Sequence, residues 1–178
     1  ARPYAFLDDA PFEERRTNAI KNRSWLDPAE TGNLAVLDPE AINLVREQAW
    51  PTVANAEELH DALLSLAYMT DSEMTEHGHQ PLLAGLMEQG RACRLTHAGR
   101  KLWLAAERSP CLRAAFPTAI LDDVALPEAL TRQVWQRDDA IREIVRGRLE
   151  GLGPVTIAQL EAECGLENEA LEAAMVAL

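Results

Sequence analysis

The sequence predicts a mainly α-helical fold in which compact helix bundles carry one small β-hairpin. Three observations carry that expectation. Leu59, Ala62, Leu63, Leu66 and Ala67 recur at the i, i+3, i+4, i+7, i+8 spacing of an amphipathic helix. Helix-start patterns recur, with Asn55 followed three residues later by Glu58, Thr70 by Glu73 and Thr156 by Gln159. One pair of apolar-and-basic runs, Arg91–Leu95 and Leu102–Ala105, flanks a turn-like His97-Ala98-Gly99-Arg100-Lys101.

Taken in order, Asp8-Asp9-Ala10-Pro11 is a turn. Proline, then acids, then Arg15-Arg16 suit a helix over 11–22. Asp27 to Asn33 reads as a loop. Asp38-Pro39-Glu40 opens a second helix, with Ile42, Val45 and Ala49 on one face. It stops at Trp50-Pro51, because a proline disfavours helix in the residue before it. The Asn55 helix follows, then a short one capped by Thr70. Pro81 opens a third, with Leu82, Leu83, Leu86 and Met87 inward and Gly90 as its stop. Helix, short helix, helix, hairpin is the order of a winged-helix domain, expected over 55–108. Pro110 to Pro127 is proline-rich and mixed in polarity, so 109–136 is expected to be a linker.

The pattern then begins again, about 80 residues on. Ile141, Ile144, Val145, Leu149 and Leu152 mark a helix ended by Gly153-Pro154. Thr156 opens the next, Gly165 ends it, and Leu171, Ala174, Met175 and Leu178 share a face of the last. No wing follows, so 137–178 is expected to be the incomplete start of a second winged-helix module.

Bulk composition narrows the function. The net charge of −12 argues against nonspecific nucleic-acid binding by the whole surface. Charge is unevenly spread, however. Arg91, Arg94, Arg100, Lys101, Arg108 and Arg113 fall within 91–113 against Glu107 alone, while residues 150–178 hold six glutamates and no base. No apolar run approaches the roughly 20 residues of a membrane span. Cys93, Cys111 and Cys164 are no disulfide framework. They read as buried thiols in a reducing, cytoplasmic setting.

Compact catalytic patterns are missing from the sequence. It has no GxxxxGK[ST], GxSxG, HExxH or CxxC, so no catalytic residue and no cofactor is assigned. His77-Gly78-His79, near Cys93 and His97, lacks a second compact ligand pair. It reads as a solvated loop, and no metal is assigned. Asp8-Asp9, Glu13-Glu14, Asp122-Asp123 and Asp138-Asp139 fit helix starts and loops better than acid–base pairs.

The basic stripe is the candidate site. Arg91 and Arg94 on one strand and Arg100-Lys101 at the tip would line a wing able to touch a DNA backbone. Trp103 is positioned either to stack on a base or to cover the core.

The run Pro3-Tyr4-Ala5-Phe6-Leu7-Asp8-Asp9-Ala10-Pro11 with Glu13-Glu14-Arg15-Arg16 resembles the end of the helicase core in large helicase-related (Lhr) proteins, superfamily-2 ATP-dependent DNA helicases. Val45–Pro51, Ala56–Leu63 and Leu102–Arg108 resemble the region that follows it, and Val145–Thr156 the next winged-helix start. The resemblance implies that 1–54 is a helical segment closing the helicase core. It implies a non-catalytic accessory fragment of a parent that unwinds DNA with ATP and Mg, in DNA repair. Its implied partners are single-stranded or forked DNA and the rest of the helicase chain, with no membrane. The competing expectation is a protein-interaction scaffold without DNA contact, favoured by the acidic total charge. A free-standing transcription regulator fits less well, since the last helix bears Glu167, Glu169 and Glu172.

Overall fold

A computed structural model describes residues 38–178. The expected helix over 11–22, and most of the segment assigned to the helicase-core end, lie outside the described residues. Helix α1 (Pro39–Ala49) starts where Asp38 Oδ1 accepts the Glu40 amide at 2.9 Å. Its outward face carries Leu44 and Val45, which are exposed. Its inward Arg46 donates to the Pro154 carbonyl at 2.8 and 3.0 Å. Of the three residues that apolar spacing put on one face, Ile42 and Ala49 are half-buried and Val45 is exposed.

Helix α2 (Ala56–Ser65) is capped by Asn55, whose side chain accepts the Glu58 amide at 3.0 Å. The five positions read from its periodicity are all buried. The helix stops before the last of them, because Ala67 takes a left-handed conformation (φ 67°). Strand β1 (Met69–Thr70), which nothing in the sequence analysis marked, comes next. Helix α3 (Asp71–Glu76) follows, opened by a complete capping box between Thr70 and Glu73. In α4 (Gln80–Glu88), Leu83 and Leu86 are buried as expected, but Met87 is exposed.

Strands β2 (Ala92–His97) and β3 (Arg100–Ala105) form the expected hairpin. Its two-residue turn, Ala98-Gly99, has positive φ at both positions (48° and 77°). That matches the twist of the flanking strands but holds a non-glycine residue in the left-handed region. Ala98→Asn is therefore expected to stabilise the fold by about 0.5–1 kcal/mol in urea denaturation, and an unchanged midpoint would contradict the strain.

The sheet runs β1-β3-β2-β4, all antiparallel, with β4 (Ile120–Leu121) on the edge beside Leu95 and Thr96. Period two divides its faces. Cys93, Leu95, Leu102 and Leu104 join one core, and Ala92, Ala105 and Trp103 join the other with α2 and α4.

The expected boundaries at 109 and 137 need correction. Residues 109–136 are not a free linker: helix α5 (Ser109–Ala115) buries Cys111, Leu112 and Ala115, and β4 belongs to the sheet. Pro110 lies in the first turn of α5, where a missing amide N–H costs no helix bond, so composition misled. Nor do residues 137–178 begin a separate module. Helix α6 (Glu128–Thr131) leads to α7 (Arg137–Leu152), α8 (Ile157–Cys164) and α9 (Asn168–Val176). Ala140, Ile141, Ile144, Val145, Leu160 and Leu171 sit in the same core as Leu95, Leu102 and Leu104. Residues 42–178 form one unit. The sheet face opposite α2 is covered by α5 together with the α7–α9 helices.

The three cysteines are buried and unbridged. Burial pushes the Cys93 thiol up to about 11 and the Cys111 thiol up to about 12. All three should react with a thiol reagent such as dithiobisnitrobenzoate only on unfolding. Rapid labelling of the native protein would contradict their burial.

Candidate nucleic-acid interface

The basic stripe does not act as a unit. Arg91, at the foot of the hairpin, donates to both carboxylate oxygens of Glu57 at 2.6 and 2.7 Å. That contact holds the Glu57 carboxyl below its ordinary range. Arg94 pairs with Asp122 at 3.1 Å, and its guanidinium lies 6.0 Å from the Trp103 ring centre. Trp103 itself donates its indole N–H to Asp71 at 3.0 Å and packs against the α2–α4 core. Of the two roles considered for Trp103, covering the core is the one this geometry shows. Arg108 donates to the Leu64 carbonyl at 2.7 Å and to Glu143 at 3.1 Å, an internal brace.

Arg100 and Lys101 differ. Both are exposed at the tip, and neither side chain has a hydrogen-bond or ion-pair partner among the described residues. They open β3 at the turn end of the hairpin, opposite His97 and Thr96. The Arg100 guanidinium rests beside Gly165, which closes α8 in the left-handed conformation, at 2.9 Å from where a Cβ would stand. Arg113, on α5, is also exposed.

Beneath the tip lies a cleft of about 630 Å³ reaching Trp50, Asp71, Glu73, Glu76, His77 and Glu163. His77 is no isolated loop residue. Its ring stacks on Trp50 at 5.0 Å and on His79 at 5.7 Å. His79 is buried, with its pKa lowered by that burial. Among the described residues no group of three or more metal-binding side chains assembles. Likewise, no described helix is long and apolar enough to cross a membrane.

The inward side chain that the sequence reading missed is Arg148, 1% exposed on α7. Its Nη1 donates to the Tyr68 carbonyl at 2.9 Å and approaches Glu73 at 3.4 Å. Its Nη2 donates to Glu73 and approaches Glu163 at 3.4 Å, and its guanidinium lies 4.7 Å from the Tyr68 ring centre. A signal existed: 141, 144, 145 and 148 are the i, i+3, i+4, i+7 positions of one helix face, and an arginine on such a face must find partners inside.

Helix α4 occupies the place from which a winged helix enters the major groove. Its outward residues Gln80, Pro81, Ala84, Met87 and Glu88 include no cation. Helix, strand, two helices and an antiparallel hairpin, in the sheet order β1-β3-β2, define a winged-helix domain with Arg100 and Lys101 at its wing tip. Residues 35–133 match the family model for the large helicase-related protein, winged-helix domain. That span is more than half of the chain, which belongs to the large helicase-related family. Among curated proteins no match was found.

Proposed function

We propose that this winged-helix domain is an accessory, non-catalytic part of an ATP- and Mg-dependent DNA helicase, positioning single-stranded or forked DNA for the motor during unwinding and repair. The observation that supports it is the wing tip, where two exposed cations stand without partners on a domain of helicase-related ancestry. Contacts of this type hold a phosphate backbone without reading bases. A cytoplasmic setting suits three cysteines that form no bridge. The second reading, a docking scaffold, draws support from the cation-free outward face of α4 and the net charge of −12.

Fluorescence anisotropy with single-stranded and forked oligonucleotides separates the two. Arg100→Glu/Lys101→Glu is expected to weaken binding about tenfold or more at low salt. It should also flatten the log–log salt dependence by about 1.4, two contacts at roughly 0.7 each. Binding indifferent to this variant would refute the tip assignment, and wild-type protein with no affinity even at low salt would favour the scaffold.

A further inference from the structure

The cleft under the wing tip poses an electrostatic problem for the reading just given, on which this inference rests. Its walls present Asp71, Glu73, Glu76 and Glu163 next to Arg100 and Lys101. Four carboxylates against two cations would repel a phosphate chain brought to the tip. Three of the four are already engaged. Asp71 accepts the Trp103 indole N–H, and Glu73 and Glu163 both turn to the Arg148 guanidinium behind the cleft. Glu76 has no partner among the described residues.

We infer that Arg148 is a positioning residue for the anionic strand. From behind the wall it draws Glu73 and Glu163 inward and offsets one of their two charges, which lowers the repulsion a strand meets at the cleft mouth. Packing alone does not account for it. Its Nε is buried without a partner, as is the Tyr68 hydroxyl it lies beside, and an apolar side chain of similar volume would avoid that cost. Both Nη groups are instead spent on carboxylates that line the cleft. The same contacts join α7 to α3 and α8, the elements on either side of the strand's proposed path.

The test uses the full chain and a short fluorescent oligothymidylate. Arg148→Met is expected to bind about three- to tenfold more weakly at low salt, with the deficit shrinking as salt screens the exposed carboxylates. Arg148→Met/Glu73→Gln/Glu163→Gln removes one positive and two negative charges and is expected to bind at least as well as wild type. A folded triple variant that stays weak, or a folded Arg148→Met that binds like wild type, overturns the inference. Should Arg148→Met not fold, two single variants decide. Glu76→Gln, removing an unbalanced charge, should tighten binding more than Glu163→Gln, whose charge Arg148 partly offsets. Equal gains would overturn the idea. Wild-type protein that fails to bind at all would instead defeat the reading of the wing tip, and this inference with it. Loss in Arg100→Glu/Lys101→Glu alongside an indifferent Arg148→Met would defeat only the role of Arg148.

Discussion

A chain ending after Gln133, at the limit of the family-matched winged helix, is expected to lose its cooperative fold. The loss would leave the sheet face of Cys93, Leu95, Leu102 and Leu104 without the helices that cover it, together with Leu112 and Phe116. From α7 to α9, Ile141, Ile144, Val145, Leu160, Leu166 and Leu171 contribute six large aliphatic side chains to that core. At roughly 1.5–3 kcal/mol for each fully buried side chain, the deficit is on the order of 10 kcal/mol. That equals the whole stability of an ordinary domain, about 5–15 kcal/mol. The truncated chain would also lose Arg148, leaving Glu73 with only the Thr70 amide. Circular dichroism in the near ultraviolet and binding of anilinonaphthalene sulfonate check this. A sharp thermal transition in the truncated chain, without dye binding, would show that the winged helix stands alone.

This dependence explains how far the sequence could be read. Local signals were legible wherever local physics decides. The caps at Asn55, Thr70 and Thr156 and the stop at Gly165 fall where the side-chain pattern put them, because a cap is made within four residues. The hairpin was legible for the same reason. Strand β1, by contrast, is two residues long and exists only because β3 lies beside it, so no periodicity announces it. The boundaries at 109 and 137 failed because proline content marks a change of direction, not the absence of packing. Phe116-Pro117 looks like connector sequence, yet Phe116 is buried and its ring meets His97 at 4.9 Å.

The candidate site was legible only as composition. A count of bases over 91–113 cannot tell Arg91, spent on Glu57, from Lys101, which meets nothing among the described residues. The partner of Arg91 is 34 residues upstream and that of Arg94 is 28 downstream. Long-range pairing of that kind removes cations from a stripe without leaving a local trace. What survives among the described residues is the pair at the tip, Arg100 and Lys101, together with Arg113 on α5.

The second large effect is expected at Gly147. Helix α7 crosses the end of α2 so closely that a Cβ at 147 would run into the Ser65 carbonyl oxygen, with the Leu66 carbonyl carbon at 3.2 Å and the Ala67 amide nitrogen at 3.4 Å. One turn later, a Cβ at Gly151 would meet the side chain of buried Leu66. The two sites differ in what must yield. Leu66 can rotate, whereas the obstacle at 147 is backbone, fixed by the left-handed Ala67 that turns the chain into β1. Replacing glycine by alanine inside a helix ordinarily gains about 1 kcal/mol. At Gly147 that gain is opposed by displacement of a helix carrying Ile144, Val145 and Arg148, and overpacking of a fixed site costs about 1–3 kcal/mol or more. Gly147→Ala is therefore expected to destabilise by about 2 kcal/mol net, and Gly151→Ala by less. Because α7 also carries Arg148 toward the cleft wall, the same shift should weaken oligothymidylate binding in Gly147→Ala before the protein unfolds. Urea denaturation of both variants checks the order. Gly147→Ala as stable as wild type would mean that α7 and α2 do not cross at backbone contact, and the shared core would have to be rebuilt around a looser packing.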